Sequence, residues 1–262
     1  MSTKILVTGA NGQLGKTIEE LYSDNQNGLD FIFASKAELD ITKEKELRLF
    51  FNNKFDYCIN CAAYTNVEQA EKTPESALKV NAEGVKNLAG VCKETNTILI
   101  HVSTDYVFDG EKFGPYSVQD IPSPINEYGK SKLLGERYIR GILDSYFIIR
   151  TSWLYSKHYG HNFYRTILEK AKTENKLIVT DQQIGCPTNT TTLSKYIIDI
   201  IINRDNNFGI RHFSDGKPMT WFSFAQQILL ENNISNEVKL VQAKNYRTFA
   251  ERPRNSILQN SN

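Results

Sequence analysis

The chain has 262 residues, 40% hydrophobic and 23% charged, with 31 Lys and Arg against 30 Asp and Glu for a net charge of +1. That composition supports a sizeable core in one or two domains and offers no electrostatic footprint for nucleic acid or an anionic membrane. Apolar runs stay short of the roughly 18 residues of a membrane helix, and a strand-like run starts at once without a leader, so a cytoplasmic protein is expected.

Taken in order, Ile5-Leu6-Val7 reads as a buried strand that runs into Thr8-Gly9-Ala10-Asn11-Gly12-Gln13-Leu14-Gly15 and a helix near Gln13 to Tyr22. In such a strand–turn–helix, Gly9 turns the chain, Gly12 lets a ligand approach and Gly15 packs helix on strand, while the helix start favours a pyrophosphate. A second strand is expected around Phe31 to Ala34, a charged helix near Lys43 to Phe51 and a third strand over Tyr57 to Cys61. A long helix is expected over Pro74 to Glu94, with Ala77, Asn81, Val85, Leu88 and Cys92 along one face. Asn81 in that stripe must be hydrogen-bonded, bracing backbone or holding a water. The fourth strand, Ile98 to Val102, ends in Ser103-Thr104-Asp105, polar residues where parallel sheets bind ligands; His101, inside the apolar run, reads as a packed core residue. A loop from Phe108 to Ile125 leads to a helix over Asn126 to Ile142 and a strand over Tyr146 to Arg150.

Continuous apolar strands alternating with helices indicate an α/β fold, a doubly wound parallel-sheet Rossmann fold over residues 1–150. Beyond residue 150 the alternation loosens: helices near Asn162 to Thr173, Thr191 to Asn203 and Thr220 to Asn232, with strands at Leu177 to Thr180 and Arg211 to Phe213. This part, residues 151–262, is expected to be mainly a smaller substrate-binding domain, with some segments returning to the Rossmann sheet. Four cysteines form no disulfide framework. Cys58 and Cys61 make a CxxC inside a strand, where residues three apart point to opposite faces, so they read as core thiols rather than a redox or zinc site.

Tyr128 and Lys132 stand four apart on one helix and share a face. A phenol with a pKa near 10 needs a nearby cation to serve as an acid or base at neutral pH; the lysine supplies it and can also hold ribose hydroxyls. A YxxxK on a helix is commonplace by itself, but here it follows a glycine-rich turn and a strand ending in Ser103-Thr104. The Thr104 hydroxyl is placed to hold a carbonyl while Tyr128 donates the proton.

With these motifs the chain resembles the extended short-chain dehydrogenases/reductases, and within them the dTDP-4-dehydrorhamnose reductase family. The resemblance extends over nearly the whole chain and is carried further by Cys61-Ala62-Ala63-Tyr64-Thr65, Ser103 to Gly110, Arg150-Thr151-Ser152-Trp153, Gln183-Ile184-Gly185-Cys186-Pro187-Thr188 and Arg252-Pro253-Arg254-Asn255-Ser256. It implies reduction, dependent on NAD(P)H, of the C4 ketone of dTDP-4-dehydro-L-rhamnose to dTDP-L-rhamnose, a step of polysaccharide biosynthesis. Catalytic roles fall to Tyr128 as proton donor, Lys132 as its activator and nicotinamide-ribose ligand, and Thr104 as carbonyl-orienting hydroxyl. Gly9, Asn11, Gly12, Gln13 and Leu14 are implied at the pyrophosphate, Asp40 and Ile41 at the adenine, and Ala62, Ala63 and Thr65 along the cofactor. Thr104, Asp105, Tyr128 and Trp153 are implied at the dTDP-sugar.

Ser35 and Lys36, after the second strand where an acidic residue would bind a ribose 2′-hydroxyl, favour NADPH, with NADH also usable. Arg247, Arg252 and Arg254 read equally as nucleotide-diphosphate ligands or as surface ion-pair partners. Gln182 and Glu68 each stand where Asp is usual in the family. Relatives continue past the Arg-Pro-x-x-Ser segment to a further C-terminal helix, so truncation is one expectation, with a possible homodimer contact affected. No acidic cluster is specific enough for a metal. The enzymatic rivals are a 4,6-dehydratase, disfavoured because Tyr106 stands where its second acid/base Glu would be, or a 4-epimerase; the other rival is a regulatory subunit like the methionine adenosyltransferase β subunit.

Overall fold

A computed structural model describes residues 2–24, 28–243 and 247–261. Its main sheet contains β1 (Thr3–Thr8), β2 (Leu29–Ala34), β3 (Tyr57–Asn60), β4 (Ile98–Thr104) and β5 (Tyr146–Thr151). Between these lie helices α1 (Gln13–Tyr22), α2 (Glu44–Phe50), α3 (Val67–Lys72), α4 (Pro74–Leu78), α5 (Val85–Thr95) and α6 (Glu127–Ile142). The later part holds β6 (Leu154–Tyr155), α7 (Phe163–Ala171), β7 (Lys176–Val179), β8 (Ile184–Gly185), β9 (Thr188–Asn189), α8 (Thr190–Ile202), β10 (Gly209–His212), β11 (Met219–Thr220), α9 (Trp221–Glu231) and β12 (Lys239–Gln242).

The six main strands lie in the order β2-β1-β3-β4-β5-β10, all parallel. Strand order reverses between β1 and β3, and such a reversal opens a crevice at the carboxyl ends of the strands. Both faces of the sheet are covered, which explains why the strands are continuously apolar. Ile5, Val7, Ile59, Ile100 and Ile149 face α1 and α8 through Leu14, Ile18, Leu193 and Ile197; Leu6, Cys58, Leu99 and Ile148 face α2, α5 and α6 through Leu47, Leu88, Val91 and Ile139. The two cysteines of the CxxC part accordingly, Cys58 into one layer and Cys61 against the other.

The long helix expected over Pro74 to Glu94 carries a widened π-turn at Lys79–Gly84. Asn81 lies in that turn and braces backbone: its Oδ1 accepts from Tyr64 N–H at 2.8 Å, and its Nδ2 donates to Tyr64 O and Ser131 Oγ. Helix α3, capped by the Asn66 side chain, and the two-residue strands were not anticipated; they lack a periodic apolar signal.

A further apolar cluster joins α7, β7 and α9 through Tyr164, Ile167, Leu177, Val179, Phe224 and Ile228, flanked by the β7–β12 and β8–β11 pairs. The intervening α8 and β10 belong to the main sheet layer, with β10 pairing on β5. The C-terminal segment threads back across the molecule, pairing Ser256 with Ile184 and Ile257 with Tyr116 through backbone bonds.

Helix α6 is tied to β4 and β5 by a buried ion pair. Glu136 accepts from Arg150 Nε at 3.0 Å and Nη2 at 2.6 Å, and from Ser103 Oγ at 2.5 Å, with both charged side chains 1% exposed. Removing one member strands the other charge. Glu136→Leu is therefore expected to cost about 3–5 kcal/mol in chemical denaturation, and a loss below about 1 kcal/mol would show the pair to be worth no more than a surface one.

Candidate active site

The glycine turn that follows β1 shows why its residues are small. Gly9 has φ +65°, and a Cβ there would stand 2.6 Å from Ala62 N at the end of β3. A Cβ on Gly15 would lie 2.6 Å from Ala10 Cα, so Gly15 packs α1 against the turn itself. Gly12 is exposed and opens α1 in an extended conformation with no side chain capping the helix. The first N–H groups of α1 are thus left to an external acceptor, as anion sites at helix starts require.

Beside this turn, over the carboxyl ends of β3, β4 and β5, lies a cavity of about 520 Å³. It brings together Gly12, Gln13, Leu14, Ala63 and Thr65 from the cofactor expectations with Thr104, Asp105, Tyr128, Lys132 and Trp153 from the catalytic and substrate ones. Gly9 and Ala62 lie against one another just outside that lining, and Asn11 is exposed at the tip of the turn. Ser35, Lys36, Asp40 and Ile41 stand apart, in the loop after β2. Ser35 donates its N–H and hydroxyl to Glu38 at 2.8 and 2.7 Å, Lys36 is exposed, Asp40 accepts from the Thr42 N–H and hydroxyl, and Ile41 is buried beside Gly84.

Thr104 closes β4, donates to Asp105 Oδ1 at 3.0 Å and accepts from Tyr106 N–H at 3.2 Å. Its hydroxyl also bonds the Tyr128 phenol. Tyr128 meets the edge of Tyr106 at 5.9 Å between ring centres. Burial, helped by the charge of Asp105, holds the phenol well above its ordinary pKa despite the Thr104 bond, so the proton stays on it at neutral pH. Lys132 is 1% exposed and donates to Val102 O at 2.6 Å, with Nζ 3.2 Å from His101 Nε2. Burial brings its pKa down to about 8, against the opposing pull of Glu136 and Cys61.

Asp105 is pushed up to about 6 by burial, although Ser256, Ser152 and Thr104 hydrogen-bond its carboxylate. Cys61, on the cavity wall, is raised to about 12 by burial and stays a thiol.

Trp153 has φ +48° and stacks face to face on Trp221, ring centres 3.4 Å apart and planes 3° from parallel. Trp221, Phe163, Asn162 and Thr151 line the cavity and were missed. No spacing in the sequence connects α9 with residue 153, although the chain's two tryptophans were a signal of a kind. The Thr151 hydroxyl is buried with no hydrogen-bond partner among the described residues, which invites a ligand.

Gln13 proves to be a tether. Its Nε2 donates to Leu154 O, and its Oε1 accepts from Ser156 N–H and Asn162 Nδ2, joining α1 to the loop before α7. Glu68 accepts from the Phe249 and Ala250 N–H groups and from Arg252 at 2.7 Å, which draws Arg252 to the cavity edge as an ion-pair partner. Arg247 and Arg254 flank a separate surface cleft with Gln182 and Gln183. Among the described residues no group of His, Cys, Asp or Glu is placed to hold a metal ion, and no helix is long and apolar enough to cross a membrane.

A glycine turn at the reversal point of a parallel sheet, with a Tyr–Lys pair facing it from the next layer, is the architecture of the extended short-chain dehydrogenases/reductases. Within them the chain belongs to the dTDP-4-dehydrorhamnose reductase family. The model of the RmlD substrate binding domain matches residues 3–262. The chain is 40% identical to dTDP-4-dehydrorhamnose reductase of Aggregatibacter actinomycetemcomitans, over 97% of this chain and 90% of that protein. It is 36% identical to dTDP-4-keto-6-deoxy-D-glucose reductase of Streptomyces niveus, over 86% and 77% of the two chains. The crystal structure of Bacillus anthracis dTDP-4-dehydrorhamnose reductase in complex with NADP superposes with a TM-score of 0.94 at 36% identity, covering all of this chain and 92% of that one. At 15% identity, Thermus thermophilus UDP-glucose 4-epimerase shares the fold, with a TM-score of 0.81.

The raised pKa of Asp105 has a consequence for stability. A carboxyl with a folded pKa above its unfolded value adds stability at low pH that is lost as pH rises through the folded pKa. Asp105 should thus make the protein progressively less stable between about pH 4 and pH 6. The difference in unfolding free energy between wild type and Asp105→Asn should shrink or change sign across that window, and a difference constant with pH would refute the assignment.

Proposed function

We propose that this protein reduces the C4 ketone of dTDP-4-dehydro-L-rhamnose to dTDP-L-rhamnose with NADPH as preferred cofactor, and NADH as a usable one. The observation that carries the proposal is the convergence of Thr104, Tyr128 and Lys132 on one cavity that is also lined by the start of α1. Relatives named for this reaction, matched over most of both chains, support the substrate class.

The residues present fit a dinucleotide. The uncapped start of α1 offers N–H groups to a pyrophosphate beside Gly9, Asn11, Gly12, Gln13 and Leu14; with the Gln13 side chain already committed, that residue would contribute through its backbone. Asp40 and Ile41 would meet the adenine, and Ala62, Ala63 and Thr65 would line the path towards Lys132. Since Ser35 is engaged by Glu38, Lys36 is left to recognise a 2′-phosphate.

The bound reduced nicotinamide supplies the hydride that C4 receives. Tyr128, held protonated by its burial, gives its phenolic proton to the carbonyl oxygen as that oxygen gains charge. Thr104 keeps phenol and carbonyl in register, and Lys132 as a cation steadies the phenolate left behind until solvent returns the proton. Trp153, fixed by its stack on Trp221, would offer a flat wall to the sugar. We further propose that residues 1–150 form the dinucleotide-binding domain, that most of 151–262 recognises the dTDP-sugar, and that the protein works in the cytoplasm.

Absorbance at 340 nm with the dTDP-keto-sugar tests the reading. One NADPH should be oxidised per sugar reduced; product without net oxidation would point to an epimerase or dehydratase, and no turnover to a binding role. Tyr128→Phe should lower kcat by about 10²–10⁴-fold while NADPH binds with unchanged Kd, because only the transferable proton is lost. A matching loss of cofactor affinity would overturn the role given to Tyr128.

A further inference from the structure

Beneath the cavity, buried side chains of β1, β3, β4 and α6 form one hydrogen-bonded file. Thr8 Oγ1 donates to Asn60 Oδ1 at 2.7 Å, Asn60 Nδ2 stands 2.9 Å from His101 Nδ1, and His101 Nε2 stands 3.2 Å from Lys132 Nζ. Asn60 and His101 are 1% and 0% exposed, so water offers no alternative partner and every donor must be matched within the file.

The matching can be followed from one end. Ala62 N–H donates to Asn60 Oδ1 at 3.2 Å, and a backbone N–H is only ever a donor, so the amide oxygen faces Ala62 and the NH₂ faces His101. His101 Nδ1 must then be the acceptor, and in a neutral imidazole the proton sits on Nε2. That Nε2–H points at Lys132 Nζ. An ammonium there has no lone pair, so two donors would face each other; a free amine accepts the Nε2–H bond and still donates to Val102 O at 2.6 Å. Moving the imidazole proton to Nδ1 only transfers the conflict to Asn60.

We propose that His101 is a positioning residue that docks Lys132 as the uncharged amine, so that Lys132 takes a proton from solvent and becomes the cation of the Tyr–Lys pair only on leaving His101. The inference rests on the reading of Lys132 given above for its functional meaning, though not for its geometry. Of the other groups facing Lys132, Glu136 pulls towards the cation, but burial outweighs it. Both Glu136 oxygens are engaged by Arg150 and Ser103, Cys61 remains a thiol and Tyr128 a phenol, and Asp105 bonds Thr104 and Ser152. The strongly depressed pKa of His101 keeps the imidazole neutral at physiological pH, and the lowering of Lys132 to about 8 brings its uncharged amine within reach near neutrality, where an ordinary lysine's is not. Ribose hydroxyls in the cavity would offer the departing ammonium the acceptors that His101 denies it, coupling cofactor binding to proton uptake.

Nitrogen-15 NMR of the nucleotide-free protein tests the docking without any turnover. His101 should show an acceptor-type Nδ1 and a protonated Nε2, and the Lys132 side chain, assigned by its loss in Lys132→Arg, should titrate near pH 8 instead of the ordinary 10.5. In His101→Gln the amide oxygen can accept from both Asn60 and an ammonium, so the Lys132 titration should rise by about one pH unit or more. A proton on Nδ1, a wild-type Lys132 titrating above pH 10, or a titration unmoved by His101→Gln would each overturn the proposal. The wild-type tautomer decides it even if the variant fails to fold. The reductase reading fails separately, if the keto-sugar leaves NADPH unoxidised whatever the Lys132 titration.

Discussion

Helix α6 lies unusually close to its neighbours, and the site depends on that approach. A Cβ on Gly129 would stand 2.1 Å from Tyr106 O, and one on Gly135 2.2 Å from Asn81 O. These two glycines, one near the helix start and one a turn and a half later, let α6 sink between the loop after β4 and the π-turn before α5. The Glu136–Arg150 pair and Ser103 then pin it over the ends of β4 and β5. Tyr128 and Lys132 sit on the same helix as these contacts, so their height above the strand ends is set by groups that do no chemistry themselves. Asn81 shares in this: its carbonyl fills the space that Gly135 leaves open, while its side chain ties Tyr64 to Ser131.

Burial is the second constraint, and it acts on charge. Lys132, His101, Asp105 and Tyr128 all have their charged forms disfavoured by the same low-dielectric surroundings. The effect is to keep a phenol protonated, as the proposed proton donor must be, and to bring a lysine closer to neutrality than an exposed one. Polar strand ends thus do more than decorate the crevice. They carry a continuous file of hydrogen bonds from Thr8 to Lys132 that transmits the choice of a proton on one ring nitrogen across three neighbouring strands.

Much of the layout was legible before any coordinates. Ile5-Leu6-Val7 followed by three spaced glycines locates a turn because no side chain tolerates the conformation and contacts of Gly9, and Tyr128 and Lys132 share a face because helical geometry places residues four apart together. Local rules of this kind need no knowledge of the rest of the chain. The same local reasoning was too coarse at Asn81, where a stripe of regular spacing conceals a π-turn, and at His101, where an apolar run conceals a residue with two specific partners.

What the sequence alone established was therefore the order of elements and the covered parallel sheet, with the residue types suited to meet a dinucleotide and a carbonyl, all consequences of periodicity, of glycine's missing Cβ and of side-chain chemistry. Tertiary structure decided which distant groups share a surface: Trp221 beneath Trp153, Gln13 committed to the loop before α7, Glu68 holding Arg252, and β10 returning to complete the sheet. Those outcomes depend on contacts between segments as much as 184 residues apart. No pattern within one segment encodes such a pairing, because its free energy is shared by both partners and exists only once the chain has brought them together.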